Sequence, residues 1–414
     1  MRPMPSAARR LAAVAVVVLS LAIVAVLGLR ALGFEVAVGP LPSPTPVFSI
    51  APQPSASQDT LAVLAAIERQ VVQLRGLPAA DIGPARLMTR AELEKTLPGL
   101  LEEPLDNASL RALGLLTAKQ DIVALTNRLY TAQVLGYYDP DKKQMVIVTD
   151  EGLTPTARVT YAHEYTHALQ DAAFDSNATE KKVTGHRDQE LAFVALEEGD
   201  ATTSMVLWAL GHLSSDDLAG VTETPVPDMT GIPAWMVTLL EFPYVSGAEF
   251  VGRLYASGGW HAVDAAYHDL PATTEQVLHA DAYAAHQPAV AVAALDVRKA
   301  VGATWTVAAD TTMGEEWMAI WLEGLGVGTP AAEKAAAGWG GDQLTVATSG
   351  SDWALGWRIA WDTPSDAREF EAAYDSVAAN GVATRAIHTG ERETVVLRAS
   401  SQALLDELAT LVAD

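Results

Sequence analysis

The sequence predicts an α+β protein, with a mainly helical domain carrying a small sheet and, after it, a small C-terminal α+β unit. Three observations lead there. Helical spacing of apolar residues dominates residues 60 to 267, one strand–turn–strand pattern interrupts it at 134 to 148, and the texture changes after about residue 340 to short strands alternating with helices. Half of the 414 residues are apolar, which leaves room for two or three domains around a sizeable core.

The chain opens with Arg2, Arg9 and Arg10, then an apolar run from Leu11 to Leu29 in which Ser20 is the one polar residue, and Arg30 stops it. At about 1.5 Å per residue this run reaches about 28 Å, the hydrocarbon depth of a bilayer. The arginines put residues 1–10 in the cytoplasm, so 11–30 read as a transmembrane signal-anchor of a single-pass protein with the rest extracytoplasmic. The rival is a signal peptide cleaved near residue 33, whose apolar core is usually only about 7 to 15 residues long. Residues 31–58 form a linker rich in proline and serine (Pro40, Pro42, Pro44, Pro46, Pro52, Pro54), extended and unable to build a core.

Residues 59–330 make up the main domain. Leu61, Leu64, Ile67, Val71 and Leu74 space out a helix over 60–75, ended by Gly76-Leu77-Pro78. Residues 85–88 suit a short strand, and Thr89 with Glu92 forms a capping box for a helix over 90–97. After a helix at 120–133, the runs 134–138 and 144–148 flank Asp139-Pro140-Asp141-Lys142-Lys143 as a β-hairpin. Helices follow at 156–172 and 188–210. A loop-like stretch spans 213–233, and helical spacing returns at 234–240, 247–256, 260–267 and 315–323. Residues 331–414 read as a β-β-α-β-β-α unit: strands at 344–348 and 353–361, a helix at 364–379, strands near 383–388 and 393–398, and a helix at 401–412.

Charge and cysteine narrow the chemistry. A formal charge of −24 argues against nucleic acid or an anionic membrane surface as a partner, since both demand basic patches. With no cysteine there is no disulfide, thiolate ligand or cysteine nucleophile, so any metal is held by His and carboxylate.

His163-Glu164-Tyr165-Thr166-His167 lies in the 156–172 helix. Positions i and i+4 share one helix face, so both imidazoles can reach a single ion, and Glu164 beside them can take a proton from a metal-activated water. A hydrolytic zinc site uses three protein ligands, so a third must come from elsewhere. In Ala195-Leu196-Glu197-Glu198-Gly199-Asp200-Ala201 two glutamates compete. Leu191, Val194, Glu198, Ala201 and Met205 form one apolar stripe, where an isolated carboxylate is costly unless a cation neutralises it, and that selects Glu198. Glu197 falls off the stripe and reads as solvated or as a neighbour of the ligands. His186 and Asp188 are rival ligands, placed by their charged, loop-like surroundings at the surface. Gln170 and Asp171 are both candidates to orient an imidazole.

HExxH followed by Glu198-Gly199-Asp200-Ala201 on a second helix resembles the gluzincin metallopeptidases, over roughly residues 134 to 280. The resemblance implies a zincin-like fold, one Zn2+ per chain on His163, His167 and Glu198, Glu164 as general base, and a peptide or protein substrate. Phe242-Pro243-Tyr244-Val245-Ser246-Gly247 is similar to the segment in which a gluzincin tyrosine donates to the tetrahedral oxyanion, which implies that role for Tyr244; a tyrosine packed at a helix start is the other reading. The metzincin continuation HxxGxxH and the exopeptidase motif GxMEN are both missing. In such peptidases an exposed strand near the metal helix pairs with the substrate backbone, and residues 144–148 are the candidate edge. His279 is either a group near the substrate or a structural histidine. The functional expectation is a membrane-anchored zinc metalloendopeptidase; the alternative is an inactive peptidase fold kept as a binding or sensing module on the cell surface.

Overall fold

A computed structural model describes residues 58–96, 105–222, 228–377 and 383–412. The elements run α1 (Gln58–Arg75), β1 (Arg86–Met88), α2 (Arg90–Thr96), α3 (Asn107–Leu113), α4 (Ile122–Gln133), β2 (Gly136–Asp139), β3 (Gln144–Val148), α5 (Pro155–Phe174), α6 (Ser176–Val183) and α7 (Arg187–His212). They continue with α8 (Ser215–Thr222), α9 (Ala234–Gly258), α10 (Trp260–Ala266), α11 (Thr274–Leu278), α12 (Ala280–Ala284), α13 (Val297–Val301), β4 (Thr306–Thr311), α14 (Glu315–Leu325) and α15 (Thr329–Ala336). Last come β5 (Trp339–Ser349), β6 (Asp352–Trp361), α16 (Pro364–Asp375), β7 (Ala383–Gly390), β8 (Glu393–Ala399) and α17 (Gln402–Ala409). The protein is thus mixed α and β, mostly helical, with two small sheets.

The expected single-pass membrane anchor is corrected. The run 11–29 on which it rested lies outside the described residues, and no helix among the described residues is long and apolar enough to cross a membrane. The long helices α7 and α9 carry charges along their length, among them Glu197, Glu198 and Asp200 in one and Glu241, Glu249 and Arg253 in the other.

The first sheet has the order β1-β3-β2, with β1 parallel and β2 antiparallel to β3. The predicted hairpin is present, its turn held by Asp139 Oδ1 accepting the Lys142 N–H at 3.0 Å. The strand expected to be the free edge, 144–148, is the central one, because β1 arrives from sixty residues upstream and covers its other side. The edge next to the metal helix is β2.

Helix α5 carries the HExxH residues and is the buried middle of the helical part. Thr154 caps it by accepting the Ala157 N–H, Pro155 occupies the first turn, and Asp175 in the left-handed conformation closes it. Residues from Val159 to Gln170 are buried on every face, so this helix lacks the polar side that a surface helix shows. Leu64, Ile67 and Val71 of α1 pack with Tyr161, Ala168 and Leu169 of α5, while Ala192, Ala195 and Leu196 of α7 meet Phe250 and Val251 of α9.

Two expected helices, 234–240 and 247–256, are one. Pro243 sits inside α9 without ending it. Helices α7 and α9 cross backbone to backbone: a Cβ on Gly199 would lie 2.1 Å from Gly247 O, and one on Gly247 would lie 2.2 Å from Ala195 O.

The second sheet is antiparallel throughout, in the order β4-β5-β6-β8-β7, and the expected β-β-α-β-β-α succession supplies four of its strands. Strand β4 adds an edge from residues before 331, so the sheet reaches back into the segment assigned from sequence to the helical domain. This sheet is not a separate bead. One apolar core runs from Leu110, Leu113, Leu115, Trp235 and Leu240 through Trp317 and Trp321 to Trp339, Trp357, Phe370 and Val396. The Trp321 indole N–H ties the halves by donating to the Leu113 main-chain oxygen at 2.8 Å, and nearby the Trp235 indole donates to Leu115 O at 3.0 Å within the helical part.

Candidate metal centre

The four-residue spacing in α5 brings the two imidazoles to one face, with ring centroids 4.8 Å apart. The facing turn of α7 delivers Glu198. Its Oε2 lies 3.1 Å from His163 Nε2 and 3.3 Å from His167 Nε2, and the two Nε2 atoms are 3.1 Å apart. Four donors set tetrahedrally about 2.0–2.1 Å from an ion stand about 3.3–3.4 Å apart, so the near-equilateral triangle matches three corners of such a site. His163, His167 and Glu198 are all buried, and they are the group among the described residues able to hold a metal ion.

Electrostatics agree with that use. Burial drives the His163 pKa down. His167 moves up despite burial, because of the Glu198 carboxylate, and Glu198 moves down despite burial, because of His167 and the hydrogen bonds from both rings. Two imidazole nitrogens 3.1 Å apart call for a proton or a cation between them.

Glu164, also buried, points its carboxylate toward β2 and accepts the Tyr138 N–H at 3.0 Å on Oε2. It lines a small pocket with Tyr138, His167, Glu197 and Glu198. Glu197 is therefore not solvated: it is buried at the pocket wall, and its main-chain oxygen accepts from Gln170. Tyr244 reaches the same place from α9, its ring stacked on His163 at a centroid distance of 6.0 Å. Its hydroxyl is buried beside the Glu198 carboxylate, and burial, with Glu198 and Glu164 nearby, pushes its pKa well up.

Between the two candidates for orienting an imidazole, the structure selects Gln170, whose Oε1 lies 2.8 Å from His167 Nδ1. Asp171 instead accepts the Tyr138 hydroxyl at 3.2 Å. Sequence reasoning missed what lies behind Gln170. Asp200 accepts from Gln170 Nε2 at 3.1 Å, from Arg75 Nε at 2.7 Å and from the Tyr267 hydroxyl at 2.9 Å. An acid two residues beyond Glu198 was the available signal, but its partner Arg75 lies 125 residues away. His163 Nδ1 has no such support among the described residues.

The remaining candidates lie apart from the triangle. His186 is exposed at the start of α7. Asp188 is buried rather than superficial, its Oδ1 accepting the Thr274 N–H at 2.9 Å and hydroxyl at 2.6 Å. His279 pairs with Glu315 at 2.8 Å.

A family model described as a domain of unknown function (DUF8575) matches residues 302–408, which hold the second sheet and its helices, while the triangle of His163, His167 and Glu198 lies outside the match. No curated protein matches the chain, and no solved structure does.

Proposed function

We propose that the helical part is a zinc-dependent peptidase of gluzincin type with a zincin-like fold. The observation that carries this reading is the donor triangle with Glu164 beside it: two imidazoles from one helix, a carboxylate from the next, and a second carboxylate facing the pocket. A zinc ion held by His163, His167 and Glu198 would supply a Lewis acid for the scissile carbonyl and lower the pKa of water to about 7.

The chain's own groups do the rest. Glu164, fixed by the Tyr138 main-chain N–H, accepts the proton of the attacking water and returns it to the leaving amine. Tyr244 offers a buried hydroxyl at the edge of the triangle, suited as a donor to the negative oxygen that develops in acyl transfer.

The test is metal analysis of the purified full chain together with cleavage of casein and a peptide library. One equivalent of zinc, turnover abolished by a chelator, and at least about 10³-fold lower turnover in Glu164→Gln with the metal retained are the expected results. Metal retention with no turnover in the wild type would sink the hydrolase reading in favour of a binding or sensing module.

A further inference from the structure

We infer that the N-terminal helix α1 is a working part of the metal centre: through Asp200 and Gln170, Arg75 fixes His167 in its metal-accepting form, so docking of α1 and metal binding are coupled. The inference takes from the proposed function only that the triangle binds zinc.

The Gln170 amide has one allowed orientation. Its Nε2 carries two hydrogens and faces two groups that only accept, the Glu197 main-chain oxygen at 2.9 Å and Asp200 Oδ2 at 3.1 Å. Its Oε1 must then face His167 Nδ1, 2.8 Å away. An amide oxygen only accepts, so Nδ1 of His167 carries a proton and Nε2 is the ring atom left to bind a metal. With Asp200 turned away, the Glu197 main-chain oxygen alone holds the amide, and the flipped form, which donates to Nδ1 and puts the ring proton on Nε2, the ligand atom, becomes more populated.

Asp200 stays in place because of α1. It is fully buried, and Arg75, the last residue of that helix and equally buried, grips it with Nε at 2.7 Å and Nη2 at 3.1 Å. The guanidinium is itself held by Asp264 at 2.7 Å and by the Trp260 ring, 4.5 Å from its centroid. Removing one member of such a buried pair leaves an uncompensated buried charge, so the pair is complete only when α1 is docked. The same helix holds the other side of α5, where Glu68 accepts the Tyr161 hydroxyl at 2.5 Å. By reciprocity, zinc that needs His167 oriented must stabilise docked α1 to the same extent.

The experiment measures zinc affinity of the full chain by competition with a chromogenic chelator, in the wild type, Arg75→Gln, Gln170→Leu and the double variant, with hydrogen exchange of residues 58–75 followed with and without zinc. Each single variant should lose about 10- to 100-fold in zinc affinity, and the double variant no more than the weaker-binding single, since both cut one chain of contacts. Zinc should slow exchange in α1 of the wild type and lose that effect in Gln170→Leu. Should Arg75→Gln not fold, Gln170→Leu and Tyr267→Phe provide the same readouts. A merely structural Arg75 would lower the melting temperature and leave the zinc dissociation constant unchanged; that result, or strictly additive losses, overturns the coupling. Zinc binding without peptide cleavage would refute the hydrolase reading and leave the coupling standing, whereas a wild type that binds no zinc refutes both.

Discussion

Tyr244 shows how much chemistry one side chain places in the site. Its ring stacks on His163 and its hydroxyl is buried beside the Glu198 and Glu164 carboxylates, surroundings that a packing role alone would not require. Tyr244→Phe should therefore leave the fold and zinc content intact. Its kcat on a peptide substrate should fall about 100-fold with KM little changed; equal kcat in the two proteins would assign the tyrosine to packing. At this scale legibility followed sequence distance. His163 and His167 were readable because four residues make one helical turn, and Glu198 because an acid interrupts an apolar stripe with 3-4 spacing. Asp200, Arg75 and Tyr267 were not, since each is an ordinary polar residue until a partner tens of residues away is folded against it. Asp188 was misplaced at the surface because His186 and Arg187 beside it are polar, whereas Thr274, which buries it, is 86 residues on.

At the scale of elements, the contact that positions Glu198 is the crossing of α7 and α9. Gly199 follows Glu198 directly and Gly247 lies one turn after Tyr244, so two missing side chains let the ligand helix and the tyrosine helix meet at their backbones. Either glycine replaced by alanine must push main chain apart. Gly199→Ala should cost about 3 kcal/mol or more in urea unfolding and reduce zinc affinity, while Gly252→Ala in the same α9, where a Cβ meets nothing, should be neutral or slightly stabilising. The same crossing bears on Pro243. A proline inside a helix costs about 3 kcal/mol, and the packing of α9 against α7 on both sides of it offsets that cost, so the two apolar-spaced segments join into one helix. Short elements such as α3 and α11 escaped notice because an Asp or Thr cap and one turn of apolar contact make them, too little for periodicity to register.

Across the whole molecule, the joint between the helical part and the second sheet is lined with buried acids. Asp188, Glu275, Glu315 and Asp342 face one another there, with His279 on Glu315, and Glu316 is next in α14. Burial pushes Asp188 up to about 7 and Glu316 up to about 8, with neighbouring carboxylates adding to it and, for Asp188, the Thr274 hydrogen bonds opposing it. The folded protein thus holds protons that the unfolded chain releases near pH 4, so the stabilisation is complete below that pH and is lost as pH rises through about 7 to 8. Melting temperature should fall between pH 5 and 9, and Asp188→Asn should flatten the slope; a profile that rises over this range in the wild type would refute the assignment. That the chain is α+β and ends in a sheet was readable from texture alone. That the two parts share a core was not, because Leu113 and Trp321 look like ordinary apolar residues of their own segments.

The indole of Trp321 reaching the main-chain oxygen of Leu113 has a consequence for other proteins built around this kind of sheet. Outside this chain, a segment resembling residues 302–408 would keep the packing of Trp321 on Trp357, Phe370 and Tyr374 but leave the indole N–H of Trp321 without the Leu113 oxygen, so any host lacking the helical half must supply that acceptor and cover of its own. Comparing what forms that cover from host to host would reveal which accompanying activities the sheet tolerates.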